Sequence, residues 1–183
     1  MRAFIREILV IIVLAIVIFV GLQFVVQDYI IREYCMEPCF QEGQRILVSK
    51  IIYRFHEPER GDVIVFQPPP PYSSEASPFI KRIIALPGDT VEIKEGSVYI
   101  NGSQLDEPYI KEPPKYTFRQ LKIPDDNYFV LGDNRNNAND SHTGWTVPRQ
   151  NIIGKAWLKI WPPGEWGLVT HYPLHEQLAS SSI

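Results

Sequence analysis

Residues Ile8–Val26 read ILVIIVLAIVIFVGLQFVV, with Gln23 as the only polar side chain among them. Glu7 is the last charge before this run and Asp28 the first after it. At about 1.5 Å per residue, a helix of roughly 20 residues crosses a hydrocarbon layer about 30 Å thick. A core helix of a soluble protein is rarely apolar on every face, as this run is. A cleaved secretory signal is the other rival, because Arg2 and Arg6 precede the run. The apolar stretch is longer than the roughly 7–15 residues of such a signal, and Gln27-Asp28-Tyr29-Ile30 offers no small-x-small cleavage site. The reading is an uncleaved membrane anchor. Arg2, Arg6 and the free amine lie before it, whereas Asp28, Arg32 and Glu33 follow, so the N-terminus is expected in the cytoplasm and everything after about residue 27 outside.

Working outward, the rest of the chain breaks into short β-type segments. Arg45–Lys50 runs on through Tyr53, and Asp62–Phe66 follows Gly61. Phe79–Leu86 stops at Pro87-Gly88-Asp89, a strong turn signal. Val91–Lys94 and Ser97–Ile100 flank Glu95-Gly96, and Asn101-Gly102 then carries the best hairpin signal in the chain, since both residues accept the positive φ of a type I′ turn. Further strands are expected at Tyr128–Leu131, Ile152–Ile160 and Trp166–Thr170. No later stretch has a helical period. The expected fold is therefore a single N-terminal transmembrane helix over residues 1–28, then a mainly-β, partly barrel-like antiparallel domain over 29–176, then a tail over 177–183. Gln67–Pro78 and Asp106–Lys122 are rich in proline or charge and read as excursions from that domain. Tyr29, Trp145, Trp157, Trp161 and Trp166 suit either a core or a lipid headgroup zone.

Beyond the anchor 16 basic residues face 20 acidic ones, which leaves no electrostatic footprint for nucleic acid. Cys35 and Cys39 do not make a zinc site with His56, His142, His171 and His175, whose spacing fits no motif.

Three separated segments carry candidate chemistry. In Tyr34-Cys35-Met36-Glu37-Pro38, Cys35 is open to three readings: a small buried hydrophobe, half of a disulfide with Cys39, or a nucleophile. In Phe79–Leu86 a period of two puts Phe79, Lys81 and Ile83 on one face and Ile80, Arg82 and Ile84 on the other, so one cation points inward or along a groove. Lys81 then either snorkels its charge to solvent or is a desolvated amine whose pKa falls from about 10.4 until it serves as a general base. Gly132-Asp133-Asn134-Arg135 through Asp140-Ser141-His142 reads as a turn and scaffold, with Arg135 placed to lock the loop to a carboxylate.

In this order after a membrane anchor, the three segments resemble the type I signal peptidases, and the likeness covers nearly the whole chain. That family's Ser-Met-x-Pro is similar to Cys35-Met36-Glu37-Pro38, and its Lys-Arg strand leading to Pro-Gly-Asp to Lys81-Arg82 through Pro87-Gly88-Asp89. Its Gly-Asp-Asn-Arg-x-x-Ser-x-Asp-Ser-Arg signature is similar to Gly132 through His142. The resemblance implies a membrane endopeptidase that cuts preprotein signal peptides after a small-x-small motif, with Cys35 as nucleophile and Lys81 as base. Met36, Pro38, Ile80 and Arg82 would bind substrate or shape the site, and Asp133, Asn134, Arg135 and Asp140 would brace it. The strands around 31–34 and 79–84 would pair with an extended substrate. No cofactor or metal is implied. The implied surroundings are the bilayer, a nearby protein-export channel and the outer face of a plasma or thylakoid-type membrane. Cys35, Glu33, Ala138 and His142 depart from the family pattern, the last three at an oxyanion-side hydroxyl, a lysine-orienting serine and an arginine paired with the position of Asp140. These departures, or a Cys35–Cys39 disulfide, keep a second reading open: a silent relative that binds exported chains or organises a membrane complex.

Overall fold

The computed structural model describes residues 2–71, 78–172 and 174. The tail at 177–183 and the middle of the proline-rich Gln67–Pro78 stretch lie outside the described residues. Helix α1, Arg2–Val25, passes without an intervening residue into strand β1, Val26–Ile30. The stretch Phe4–Val25 is long and apolar enough to cross a membrane, and none of it is buried against the rest of the chain. The strand takes residues 26–28 out of the expected anchor, because Val26 to Ile30 pair antiparallel with Ser49 to Arg45 and Lys50 N–H donates to Val25 O at 2.9 Å.

The remaining strands are β2 (Arg45–Ser49), β3 (Val63–Phe66), β4 (Phe79–Ala85), β5 (Thr90–Lys94), β6 (Ser97–Ile100), β7 (Ser103–Gln104), β8 (Phe118–Lys122), β9 (Asn127–Leu131), β10 (Val147–Pro148), β11 (Ile152–Trp161) and β12 (Gly167–Leu168). They form two antiparallel sheets. The larger has the order β1-β2-β11-β3-β4-β9-β10 with β12 beside β11, and the smaller the order β7-β6-β5-β8. The ten-residue β11 shifts register against β2 and β3, and such bulges bend a strand and add twist, so the large sheet curls. Gly154 permits that curl: a Cβ there would run into the Ser49 carbonyl of β2. Asn101 and Gly102 both take positive φ, 52° and 84°, between β6 and β7, as the type I′ reading requires.

Strand β3 shows how the large sheet divides the core. Its four residues are all buried, with Val63 and Val65 packing into one cluster with Ile31, Met36, Phe40, Ile46 and Ile80, and Ile64 and Phe66 into another with Ile83, Val130 and Trp145. A third cluster joins the small sheet to β4 and β9 through Val91, Ile93, Val98, Ile84 and Phe129. Trp145 is a core residue, whereas Trp157, Trp161 and Trp166 are 48%, 53% and 68% exposed.

The Asp106–Lys122 stretch is not a mere surface excursion. Phe118–Lys122 is β8 of the small sheet, and Tyr109 is buried with its ring 4.4 Å from the Arg82 guanidinium. The charges that made the stretch look exposed include Glu107, which is buried in an ion pair with Arg135.

Candidate active site

The first segment opens with a short 3-10 turn, Tyr34–Met36, that buries Cys35 and Met36 in the apolar cluster with Ile31, Phe40, Ile46 and Ile80. Asn134 clamps the turn from the facing loop: its backbone N–H donates to Cys35 O and its side-chain amide to Tyr34 O, each at 3.0 Å. Gly132 has to be glycine for this approach, because a Cβ would stand 2.5 Å from Cys35 O and 2.7 Å from the Ala138 methyl. Pro38 is exposed, and Glu37 beside it pairs with Lys111 at 2.7 Å.

Strand β4 brings the amine. Lys81 and Arg82 are both fully buried, not one of them as the alternation suggested. Lys81 Nζ lies 3.0 Å from Cys35 Sγ and 3.0 Å from Ile80 O, with the Phe79 ring 5.2 Å away. The carbonyl of Ile80 can turn toward this pair because β9 pairs with β4 only from Arg82 onward, so the edge at residues 79–81 is open on the side away from β3. Of the two strands expected to pair with a substrate, 79–84 is open only in its first half, and residues 31–33 lie in no strand. Burial pushes the Cys35 thiol above its ordinary pKa, the Lys81 ammonium pulls it down by less, and the Glu33 carboxylate raises it further.

Arg82 faces the other way and belongs to the scaffold. It holds Asp133 in a two-pronged pair at 2.9 and 2.7 Å and donates to Gly61 O at 2.9 Å. With no exposed surface it has no contact to offer a substrate, and its effect on the site passes through Asp133. Burial disfavours its charge, but the Asp133 bonds outweigh that and its pKa rises. Arg135 is built the same way: Nε donates to Gly132 O at 3.0 Å, and its fork meets Glu107 at 2.8 and 2.7 Å. Glu107 was missed from sequence, since nothing local marks a carboxylate whose partner lies 28 positions on. Asp140 accepts from Gly132 N–H at 2.9 Å and from His142 N–H at 3.1 Å, and its second contact with His142, ring Nδ1 at 2.6 Å, keeps a paired partner where the family pattern has arginine.

Cys39 is acted on by burial and then by Asp133 and Arg82, whereas Cys35 is directed at Lys81. Neighbouring β4 side chains alternate in direction, so the two thiols have different partners, and both are free.

Two cavities flank the turn. One, of about 510 Å³, is walled by residues 27–33 on one side and Pro78, Phe79 and Ile80 on the other. The second, of about 580 Å³, is lined by Arg32–Cys35, Asn136–Asn139 and Thr143. The Ala138 methyl packs beside Cys35 there and offers Lys81 no hydroxyl.

An apolar helix is joined to a curled β-domain with a buried thiol and amine at a groove, and the relatives of this chain are peptide hydrolases of one family. The chain belongs to "Signal peptidase, peptidase S26", which matches residues 2–161. A probable signal peptidase I-2 of Synechocystis sp. (strain ATCC 27184 / PCC 6803 / Kazusa) is 45% identical over 161 residues, 86% of this chain and 74% of that protein. The thylakoidal processing peptidase 1 (chloroplastic) of Arabidopsis thaliana is 37% identical over 71% of this chain and 40% of its own length. The solved signal peptidase I of Enterococcus faecalis V583 is 32% identical and covers 55% of this chain and 97% of its own, with a TM-score of 0.48.

Proposed function

We propose that this chain removes N-terminal signal peptides from exported preproteins after a small-x-small motif, with Cys35 as the nucleophile and Lys81 as the general base. The observation that carries the assignment is the 3.0 Å approach of Lys81 Nζ to Cys35 Sγ, with the rest of the lysine side chain buried. In its neutral form the Lys81 amine takes the thiol proton. The thiolate attacks the carbonyl carbon of the residue that ends the signal peptide, and the Cys35 backbone N–H holds the oxyanion. The C–N bond breaks as the Lys81 ammonium returns the proton to the leaving amine. Water then gives a proton to Lys81 and attacks the thioester, freeing the signal peptide acid and the thiolate, which regains its proton. Asp133, Asn134, Arg135 and Asp140 hold the turn in place for these steps.

The wall of Pro78, Phe79 and Ile80 opposite residues 27–33 supports an extended substrate in the first cavity, paired by its backbone along the open edge of β4. Helix α1 spans the bilayer with its N-terminus in the cytoplasm, and the domain from β1 onward lies on the outer face of a plasma or thylakoid-type membrane, near the channel that delivers preproteins. The exposed Trp157, Trp161 and Trp166 support a domain that rests on the headgroups.

The test is cleavage of a preprotein with an Ala-x-Ala site by the reduced, detergent-solubilised protein, beside Cys35→Ala and Lys81→Ala. Cleavage lost in both variants is the expected result. A folded wild type that binds the preprotein and leaves it intact would replace this assignment with the silent, chain-binding relative.

A further inference from the structure

The second cavity is a chemical contrast to the first. Beside Cys35 it presents the side chains of Asn136, Asn137, Asn139 and Thr143, and it shares Arg32 and Glu33 with the first cavity. The two cavities therefore meet at residues 32–33, next to the thiol. Glu33 is exposed and lines the second cavity two residues from Cys35, and its carboxylate raises the Cys35 thiol pKa while the Lys81 ammonium lowers it. A carboxylate open to water and adjacent to the reacting atom meets whatever residue lies there.

Which part of the substrate that is follows from the anchor. The first cavity begins at Gln27 and Asp28, directly after the end of α1 at Val25. A signal peptide is held in the same bilayer by its own apolar segment, so the residues before the scissile bond enter from that end. The residues after the bond must leave past Cys35 on the far side, where the second cavity lies. Resting on the peptidase assignment above, we propose that the second cavity receives the first residues of the mature chain, and that Glu33 selects against acidic and in favour of basic side chains there. Asn136 is held by Lys115 N–H and Pro113 O, so Asn137 and Asn139 supply the neutral amides of the lining, and the charges there are Glu33, set next to the thiol-bearing turn, and Arg32, which Glu33 has to outweigh. After cleavage the new N-terminal ammonium also forms in the field of Glu33.

Opposite charges attract and like charges repel across an exposed contact by comparable small amounts, so Lys and Glu at the first mature position should differ on the order of tenfold in kcat/KM. The experiment uses three detergent-solubilised preproteins that share one Ala-x-Ala site and carry Lys, Gln or Glu directly after it, with wild type and Glu33→Gln. The ratio of Lys to Glu substrates, taken within each protein, is independent of any change in common rate. The expected result is a ratio of about ten in wild type that falls toward one in the variant. A ratio near one in wild type, or one that survives Glu33→Gln, overturns the proposal while cleavage of the Gln substrate still upholds the peptidase. Cys35→Ala gives the same comparison as a ratio of dissociation constants, so the proposal is decided even if nothing is cut. Absence of cleavage in all three would overturn the peptidase assignment, and equal binding to all three would overturn this one.

Discussion

Replacing Gly132 by alanine adds one methyl group, and the structure states where it goes. The new carbon would stand 2.5 Å from Cys35 O and 2.7 Å from the Ala138 methyl. Comfortable carbon–oxygen and carbon–carbon separations are about 3.3 Å and about 3.5 Å or more, so the neighbours must retreat by about 0.8 Å. Neither is the far end of a flexible side chain. Cys35 O is backbone and is held by Asn134 N–H, while Gly132 itself is pinned by Asp140 and Arg135 through its N–H and carbonyl. The displacement therefore falls on the Cys35 turn and opens the Cys35–Lys81 approach. A misplacement near 1 Å costs about 100-fold in rate, and overpacking of this size costs about 1–3 kcal/mol in stability. The assay is single-turnover cleavage of the Ala-x-Ala preprotein, read beside thermal unfolding in the same detergent. The expected variant is folded, melts several degrees lower and cuts about 100-fold more slowly. Wild-type rate with wild-type melting would refute the reasoning, since a methyl group that fits there leaves nothing for Gly132 to explain.

Asp133→Ala leaves the fully buried Arg82 without its ion partner and should lower unfolding stability by about 3–5 kcal/mol, measured by denaturant titration in detergent; a loss below about 1 kcal/mol would mean the pair is not buried as described. His171, held down at about 4 by burial and then by the nearby Lys155, gives stability that is full above the unfolded value near 6.5 and lost as pH falls through 4, about 3 kcal/mol in all. Melting temperatures between pH 7.5 and 4 should show that slope in wild type and a shallower one in His171→Gln; parallel curves would contradict it. Denatured without reductant, the chain should take up label on both thiols, whereas a mass two daltons low with no label would reveal a disulfide.

The apolar run at Ile8–Val26 was legible because a membrane helix is a local pattern, and the Asn101-Gly102 hairpin because its backbone demand is met by two adjacent residues. The turn at Cys35 and the amine at Lys81 were legible as separate segments, but their meeting across 46 positions is a property of strand order and came only through resemblance. Glu107 and Tyr109 escaped because their segment is rich in proline and charge, a composition that usually marks surface. Here the carboxylate is neutralised by Arg135 and the ring lies against Arg82, so long-range pairing overrode composition. The exposure of Trp157, Trp161 and Trp166 against the burial of Trp145 was likewise beyond local reading, since it depends on which distant elements pack over each ring: Phe66 lies against Trp145, 79 positions away.

The junction of α1 with β1 has no residue between helix and strand. With α1 in the bilayer as proposed, a domain mounted without a joint would not swivel on its stalk, and its tilt and standoff would be those of the helix. Such an arrangement works as a depth gauge. The five residues of β1 extend about 17 Å, and a substrate in the proposed groove would have to bring its cleavage site to a set distance from its own apolar segment. Selection of the bond would then combine side-chain size with length counted from the bilayer, and a flexible insertion between Val25 and Val26 would blur the count while leaving the thiol and amine where they are.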